Sequence, residues 1–271
     1  MGLRINTNVA SLNAARTLQR STNSLNRSLD RLSSGLRINR AADDAAGLAI
    51  ADGFNSVVRG SQVAQRNTQD GVSLVQTAEG ALSETTNILQ RVRELAVQAS
   101  NGTQSTDNRL ALTREVNELV GQINDIATNT QFNGISVLSS AQTVTLQTGA
   151  YVSQTLTVRV SGARAADIGV SAVTLSVASL AVAAISTVDN ALRSVNTLRS
   201  TFGAFQNRLE FTINTLAIQE ENSAAAESVI RDADIARETI QFTRNQILVS
   251  AGTSVLAQSN VVPQTALQLL G

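Results

Sequence analysis

The sequence predicts a mainly α protein: long coiled-coil-type terminal helices, an elongated helical-bundle rod between them, and a small β-hairpin region. Three observations carry this. Apolar residues recur at spacings of three and four over most of the 271 residues. A single proline, Pro263, stands against that pattern, and it lies close to the end. Aromatic residues make up 3% of the chain, so Ala, Leu, Val and Ile must do the packing, which suits helices.

The first element is read from Ile5, Val9, Leu12, Ala15, Leu18, Leu25, Leu29, Leu32 and Leu36, an amphipathic helix of coiled-coil type. Ser33-Ser34-Gly35 ends it, with Gly35 as the turn residue. The stretch from Leu36 to Asp52 is expected to be irregular and closely packed, holding at most a short helix capped by Asp43 or Asp44 opposite Arg37 and Arg40. Residues 54–99 repeat apolar positions over a helix on the order of 65 Å long, too long for an ordinary compact domain. Asn101-Gly102-Thr103 turns the chain into a second helix over Asp107–Thr130, antiparallel to the first.

The texture then changes. Thr143–Thr148 and Gln154–Val160 alternate apolar and polar residues around Gly149-Ala150, which predicts a hairpin, and Val173–Val177 reads as a third strand. Helix returns over Asp189–Glu221. In the tail, Ile235, Phe242, Val249 and Leu256 stand seven apart, while Ile240 and Ile247 lie on another face. A helix apolar on several sides needs several partners. The expected divisions are 1–36, 37–56, 57–139, 140–185, 186–222 and 223–271: terminal helix, linker, first rod helices, hairpin and short variable region, last rod helix, and terminal helix.

Composition narrows function. The chain has no Cys, His or Trp, and all 21 basic residues are Arg. Thiolate and imidazole chemistry, Cys or His metal sites, Schiff bases and the phosphate-loop lysine are therefore excluded. No catalytic residue, metal ligand or cofactor is assigned. No apolar run approaches ~18 residues, so no membrane insertion is expected. The start lacks the apolar core of a secretory signal, which on composition alone suggests a cytoplasmic protein. The net charge of zero hides an imbalance: residues 1–66 carry +5 and residues 200–271 carry −3. This suggests that the two ends meet. Nucleic acid is not expected, because the Arg residues are dispersed and no aromatics interleave with them.

Blocks of residues then point to a family. Ile5-Asn6-Thr7-Asn8, the run from Leu29 to Asn39, and the run Ala42-Asp43-Asp44-Ala45-Ala46-Gly47-Leu48-Ala49-Ile50-Ala51-Asp52 occur in order. Asp70–Leu74, Gln76–Leu82, Gln90–Ala99, Thr130–Gly134, Asp232-Ala233-Asp234, Ala251–Gln258 and Pro263-Gln264 follow. Together they resemble bacterial flagellin, the filament subunit of the flagellum, over nearly the whole length. The short stretch from about 141 to 185 makes it similar to a minimal flagellin without large outer domains.

The resemblance implies a structural subunit that polymerises into a helical filament for swimming. The paired terminal helices would form an inner tube around the export channel, and residues 37–56 a spoke to the rod. It corrects the cytoplasmic reading to an extracellular one, reached through a type III export apparatus without a cleaved signal peptide. Implied partners are further copies of the chain, the export apparatus, a chaperone on the C-terminal helix, and the filament cap and hook–filament junction proteins. A hook–filament junction protein is the alternative identity. The resemblance also implies that a host toll-like receptor docks at Arg91, Leu95, Gln98 and Glu115. The expected polymerisation residues are Ile5, Val9, Leu12, Leu18, Leu25, Leu29, Leu32, Ile235, Phe242, Val249 and Leu256.

Overall fold

A computed structural model describes residues 7–268 of the chain. Its elements in order are α1 (Val9–Ser34), α2 (Ala45–Ser100), α3 (Thr106–Asn129), β1 (Gln131–Phe132), β2 (Ile135–Ser136), β3 (Gln142–Gln147), β4 (Thr155–Val160), α4 (Ala178–Arg231) and α5 (Ile235–Gln268). The chain divides into two compact units. One joins residues 1–56 with 222–271; the other is residues 57–221.

The unit of residues 57–221 has a conventional apolar core. Along α2 it receives Val75, Ala78, Leu82, Leu89, Val92, Leu95, Ala96 and Ala99, all essentially inaccessible. From α3 come Val116, Ile123 and Ala127; from α4 come Val188, Ala191, Val195, Phe202 and Leu209. The sequence places α4 from Asp189, but it begins eleven residues earlier. Ala181, Ala184, Val188, Ala191 and Val195 recur at spacings of three and four and are buried. Small alanines continue the helical stripe there, so no turn signal is needed.

The hairpin forms where the alternation predicts it. Strands β3 and β4 pair antiparallel, with Thr143 opposite Arg159 and Leu146 opposite Leu156. Leu156, Val158 and Val160 point inward while Arg159 points to solvent. Two glycines of α2 make room for it. A side chain at Gly71 would collide with Leu146, and one at Gly60 would press on Ala150 at 2.9 Å. The second two-stranded ladder, β1 with β2, turns on Asn133 and Gly134, both at positive φ. The sequence reading did not anticipate it.

Val173–Val177 is not a strand. Val173 and Leu175 are buried as alternation requires, but the Leu175 N–H donates to the Thr113 hydroxyl of α3 at 3.3 Å. Likewise the Ala165 N–H donates to the Asn124 side chain at 3.0 Å. The loop of residues 161–177 is thus pinned by side chains of α3 rather than by a ladder, and its alternation reflects packing alone.

The linker expectation also needs correction. Only residues 35–44 are irregular. Asp44 accepts the Gly47 N–H at 2.9 Å and caps α2, which runs unbroken from Ala45 to Ser100. Gly47 is required at that cap, because a Cβ there would strike the Asp44 carboxylate and sit 2.8 Å from the Ile38 side chain. No helix among the described residues is long and apolar enough to cross a membrane.

This core makes a sharp prediction. Leu82→Ala, at a fully buried position, should cost about 2–5 kcal/mol in denaturant unfolding of the unassembled chain. Phe211→Ala, at a side chain 72% exposed, should stay within about 0.5 kcal/mol of the parent. Equal costs for the two would contradict the assigned core.

Candidate functional site: the paired terminal helices

The unit of residues 1–56 and 222–271 is built differently. Among its described residues only Ile38 and Ala51 are fully buried apolar side chains. Its organising feature is the antiparallel pairing of α1 with α5. Asn8 caps α1, accepting the Ser11 N–H at 3.0 Å, and Gly35 closes it at φ 72°.

The seam is a heptad pattern on both helices. On α1 the less exposed positions include Ser11, Ala14, Leu18, Ser21, Leu25, Ser28 and Leu32, with Thr22, Ser24 and Arg31 partly covered beside them. On α5 they are Glu238, Phe242, Asn245, Val249, Gly252, Leu256 and Ser259. Each run steps alternately by three and four, the spacing of a coiled-coil face. Large and small residues alternate on each side. Gly252 lies against Leu18: a Cβ added there would be 3.2 Å from Leu18 Cδ1. Polar contacts run along the same seam. The Asn8 amide donates to the Ser259 carbonyl at 2.8 Å, Ser11 donates to the Asn260 side chain at 2.8 Å, and the Asn245 amide donates to Ser28 at 3.4 Å.

The stripe residues fall into two groups. Leu18, Leu25, Leu32, Phe242, Val249 and Leu256 are partly buried in the seam. Val9, Leu12, Leu29 and Ile235 are not; each is about half exposed or more in the single chain. Serine and alanine occupy the seam positions that a purely apolar reading gives to leucine and valine. Ile5 lies outside the described residues. On α5, Ile240, Ile247, Leu248 and Val255 are also exposed, and a shallow groove lined by Thr239, Ile240, Thr243, Arg244, Ile247 and Leu248 opens between them.

The opposite charges of the two ends bring little to this pairing. Arg31 and Glu238 form the one ion pair between α1 and α5 among the described residues, at 3.7 Å. Packing and side-chain hydrogen bonds carry the rest.

The ends of the pair are clipped together by backbone. Arg37 donates its N–H to the Arg231 carbonyl at 2.7 Å, and Ala233 donates to the Gly35 carbonyl at 2.9 Å. The Arg37 guanidinium adds a bond of 2.6 Å to the Ile230 carbonyl. Within the turn, Asp43 accepts the N–H groups of Arg40 at 3.1 Å and Asn39 at 3.3 Å. These two bonds, Arg40 first, hold its carboxyl below the ordinary value of 3.8, and the charges of Arg31 and Arg40 add to the effect. The expectation that Arg37 and Arg40 would face the aspartate pair is thus met only through the Arg40 backbone. The Arg40 guanidinium pairs with Asp30 instead, at 3.0 Å.

In the other unit, the candidate receptor face is divided. Arg91 is exposed and bonds Glu115 at 2.9 Å and Glu94 at 3.1 Å. Those carboxylates, Glu115 foremost, hold its guanidinium more firmly protonated than usual. Gln98 is exposed as well. Leu95 is not available: it is 1% exposed and belongs to the core. Its spacing to Arg91 and Gln98 puts it on the same side of α2, but that position is part of the apolar core. The exposed apolar neighbour is Val97, in a shallow groove with Gln90, Arg93, Glu94 and Gln98.

A terminal pair with a narrow internal seam, almost no core of its own and apolar faces left open is the construction of a self-associating structural protein. Comparison with known proteins makes the class specific. The N-terminal helical region of bacterial flagellin matches residues 5–143, and its C-terminal helical region matches residues 185–270. The flagellin of Halalkalibacterium halodurans is 45% identical, over 98% of this chain and 99% of its own length. That of Bacillus subtilis is 41% identical, over 99% and 100%. The crystal structure of Bacillus cereus flagellin superposes with a TM-score of 0.50 at 33% identity, covering 60% of this chain and 94% of that one. The chain belongs to the bacterial flagellin family. It is a structural subunit of the flagellar filament, an extracellular polymer of motility, in a compact form, and nothing in the fold or in these likenesses favours the junction-protein alternative.

Asp43 supplies a pH test. Its folded-state pKa lies below the unfolded value, so its contribution is complete above about pH 4 and is lost as pH falls through the lowered pKa. A carboxyl-carbon NMR titration of the folded chain should give an Asp43 midpoint below 3.8. Asp43→Asn should weaken the turn at pH 7 and make no difference at the acid end. A midpoint at or above the ordinary value would contradict the two backbone bonds.

Proposed function

We propose that subunits assemble through the faces of α1 and α5 that their mutual seam leaves open. On α1 these faces carry Val9, Leu12 and Leu29; on α5 they carry Ile235, Ile240, Ile247, Leu248 and Val255. The seam residues Leu18, Leu25, Leu32, Phe242, Val249 and Leu256 hold the pair in shape. The observation that carries the proposal is the exposure of these apolar residues on two helices that lack a core. Fully burying one such side chain contributes roughly 1.5–3 kcal/mol, and an open stripe of them favours association.

In the polymer, this pair forms the inner tube around the export channel, and residues 57–221 form the rod outside it. The same stripe on α5 is the natural docking face of an export chaperone before assembly, and export follows the type III flagellar route. The cap and hook–filament junction proteins bound the polymer at its two ends. Receptor recognition, if the host senses this chain, rests on Arg91, Gln98 and Glu115, with Leu95 behind them as a packing residue. A role without catalysis rests on the missing His, Cys and Lys.

Truncation tests the assignment. A chain lacking residues 236–271 should keep the cooperative unfolding of the 57–221 core, because that unit buries its own apolar residues. It should also fail to sediment as filaments under conditions where the full chain polymerises. Normal filaments from the truncated chain would refute assembly through α5.

A further inference from the structure

The charges of the terminal unit are sorted by position. Residues 1–29 and 239–271 carry five Arg and no Asp or Glu, a side-chain charge of +5. Residues 30–56 and 222–238 carry eight Asp and Glu against five Arg, a charge of −3. The backbone clip of residues 35–37 with 231–233 lies in the second group. Antiparallel pairing of α1 with α5 therefore makes one end of the unit basic and the clipped end acidic.

Little of this charge is cancelled inside the chain. Arg16, Arg20, Arg27 and Arg244 are exposed and form no ion pair among the described residues. At the clipped end Asp44 and Asp232 are exposed and form none either; their partners are the Gly47 N–H and the Ser228 hydroxyl. Asp52 approaches Arg231 only to 3.8 Å. Arg16, Arg20 and Arg27 are four and seven residues apart, so they share one face of α1, and Val9 stands on it seven residues before Arg16. The one acid of α1, Asp30, lies about 21 Å along the helix from Arg16, well beyond the ~8 Å screening length of physiological salt. Asp30 is also taken by Arg40 at 3.0 Å. Neutralisation of the basic face has to come from another molecule.

We propose that the basic end of one copy's terminal pair meets the clipped, acidic end of the next copy. Two basic stripes repel, which disfavours a symmetric contact of that end with itself. A contact between unlike patches of the same chain is head-to-tail, and it propagates into a helical filament when it does not close into a ring. The contact rests on the assembly reading above and adds direction to it. The open apolar faces supply burial, Val9 among them, while the charges set which end faces which.

Charge reversal in the full chain tests this. Arg16→Glu with Arg20→Glu and Arg27→Glu turns the basic end from +5 to −1, and none of the three has an ionic partner to lose. Asp52→Arg with Asp232→Arg turns the acidic end from −3 to +1. All five side chains are exposed, so circular dichroism of each variant should match the parent. Sedimentation gives the critical concentration for polymerisation. Each variant alone should raise it by about tenfold or more. An equimolar mixture of the two should polymerise near the parent value, because unlike ends meet again. Arg16→Gln with Arg20→Gln and Arg27→Gln, which removes charge without reversing it, should fall between the parent and the reversal. An unchanged critical concentration in the Arg variants, or a mixture no better than its components, overturns the inference. Binding of the parent to phosphatidylglycerol vesicles, lost in the Arg→Glu variant while polymerisation is unchanged, assigns the stripe to anionic lipid and overturns it too. A parent chain that never sediments sinks the assembly reading itself; a parent that sediments beside variants that sediment equally well sinks only the head-to-tail contact.

Discussion

The terminal unit depends on one narrow contact, the heptad seam between α1 and α5. Ordering a residue's backbone costs about 1–2 kcal/mol, and the two helices together order a long stretch of chain. Against that cost the unit offers partly buried Leu18, Leu25, Leu32, Phe242, Val249 and Leu256, with Ile38 and Ala51 as its fully buried apolar side chains among the described residues. The seam directs the pairing but supplies little burial. On the proposed reading the remaining stabilisation comes from neighbouring copies, through the exposed faces of both helices.

Residues 57–221 face no such shortage. Phe202, Leu82, Leu89, Ile123 and Leu138 are buried within the unit, and β4 closes over it with Leu156, Val158 and Val160. Its surface carries ion pairs between helices, Arg91–Glu115 and Arg93–Asp189 at 2.9 and 2.7 Å. These are exposed and weak individually, but they set where helices meet without adding sticky surface. One chain thus combines a unit with an apolar core of its own and a unit with little burial of its own.

Much of this was legible in the residues. The spacing of Leu18, Leu25 and Leu32, and of Phe242, Val249 and Leu256, announced the paired helices, because a coiled-coil seam is written directly in sequence period. The β3–β4 hairpin was legible for the same reason, with a period of two. What escaped depends on three-dimensional neighbours. Val9, Leu12 and Leu29 share the α1 stripe by composition, yet Ser21 and Ser28 occupy the seam, because close helix approach favours small residues there. Leu95 shares a helical face with Arg91 and Gln98 but belongs to the buried core. An Asp-capped helix start near Asp44 was legible, but not that this helix runs unbroken to Ser100, because the small residues Ala45-Ala46-Gly47 read as a packed irregular stretch. Val173 and Leu175 alternate like a strand, while the Thr113 hydroxyl takes the bond that a strand neighbour would take.

The central claim is that α1 and α5 are marginal in one chain and secured by copies, whereas residues 57–221 are secure alone. Amide hydrogen exchange on the full chain, measured before and after polymerisation, addresses it most directly. The account predicts weak protection across α1 and α5 in the unassembled chain, strong protection there in the polymer, and strong core protection of α2, α3 and α4 in both. Equal, strong protection of α1 and α5 before polymerisation would contradict it.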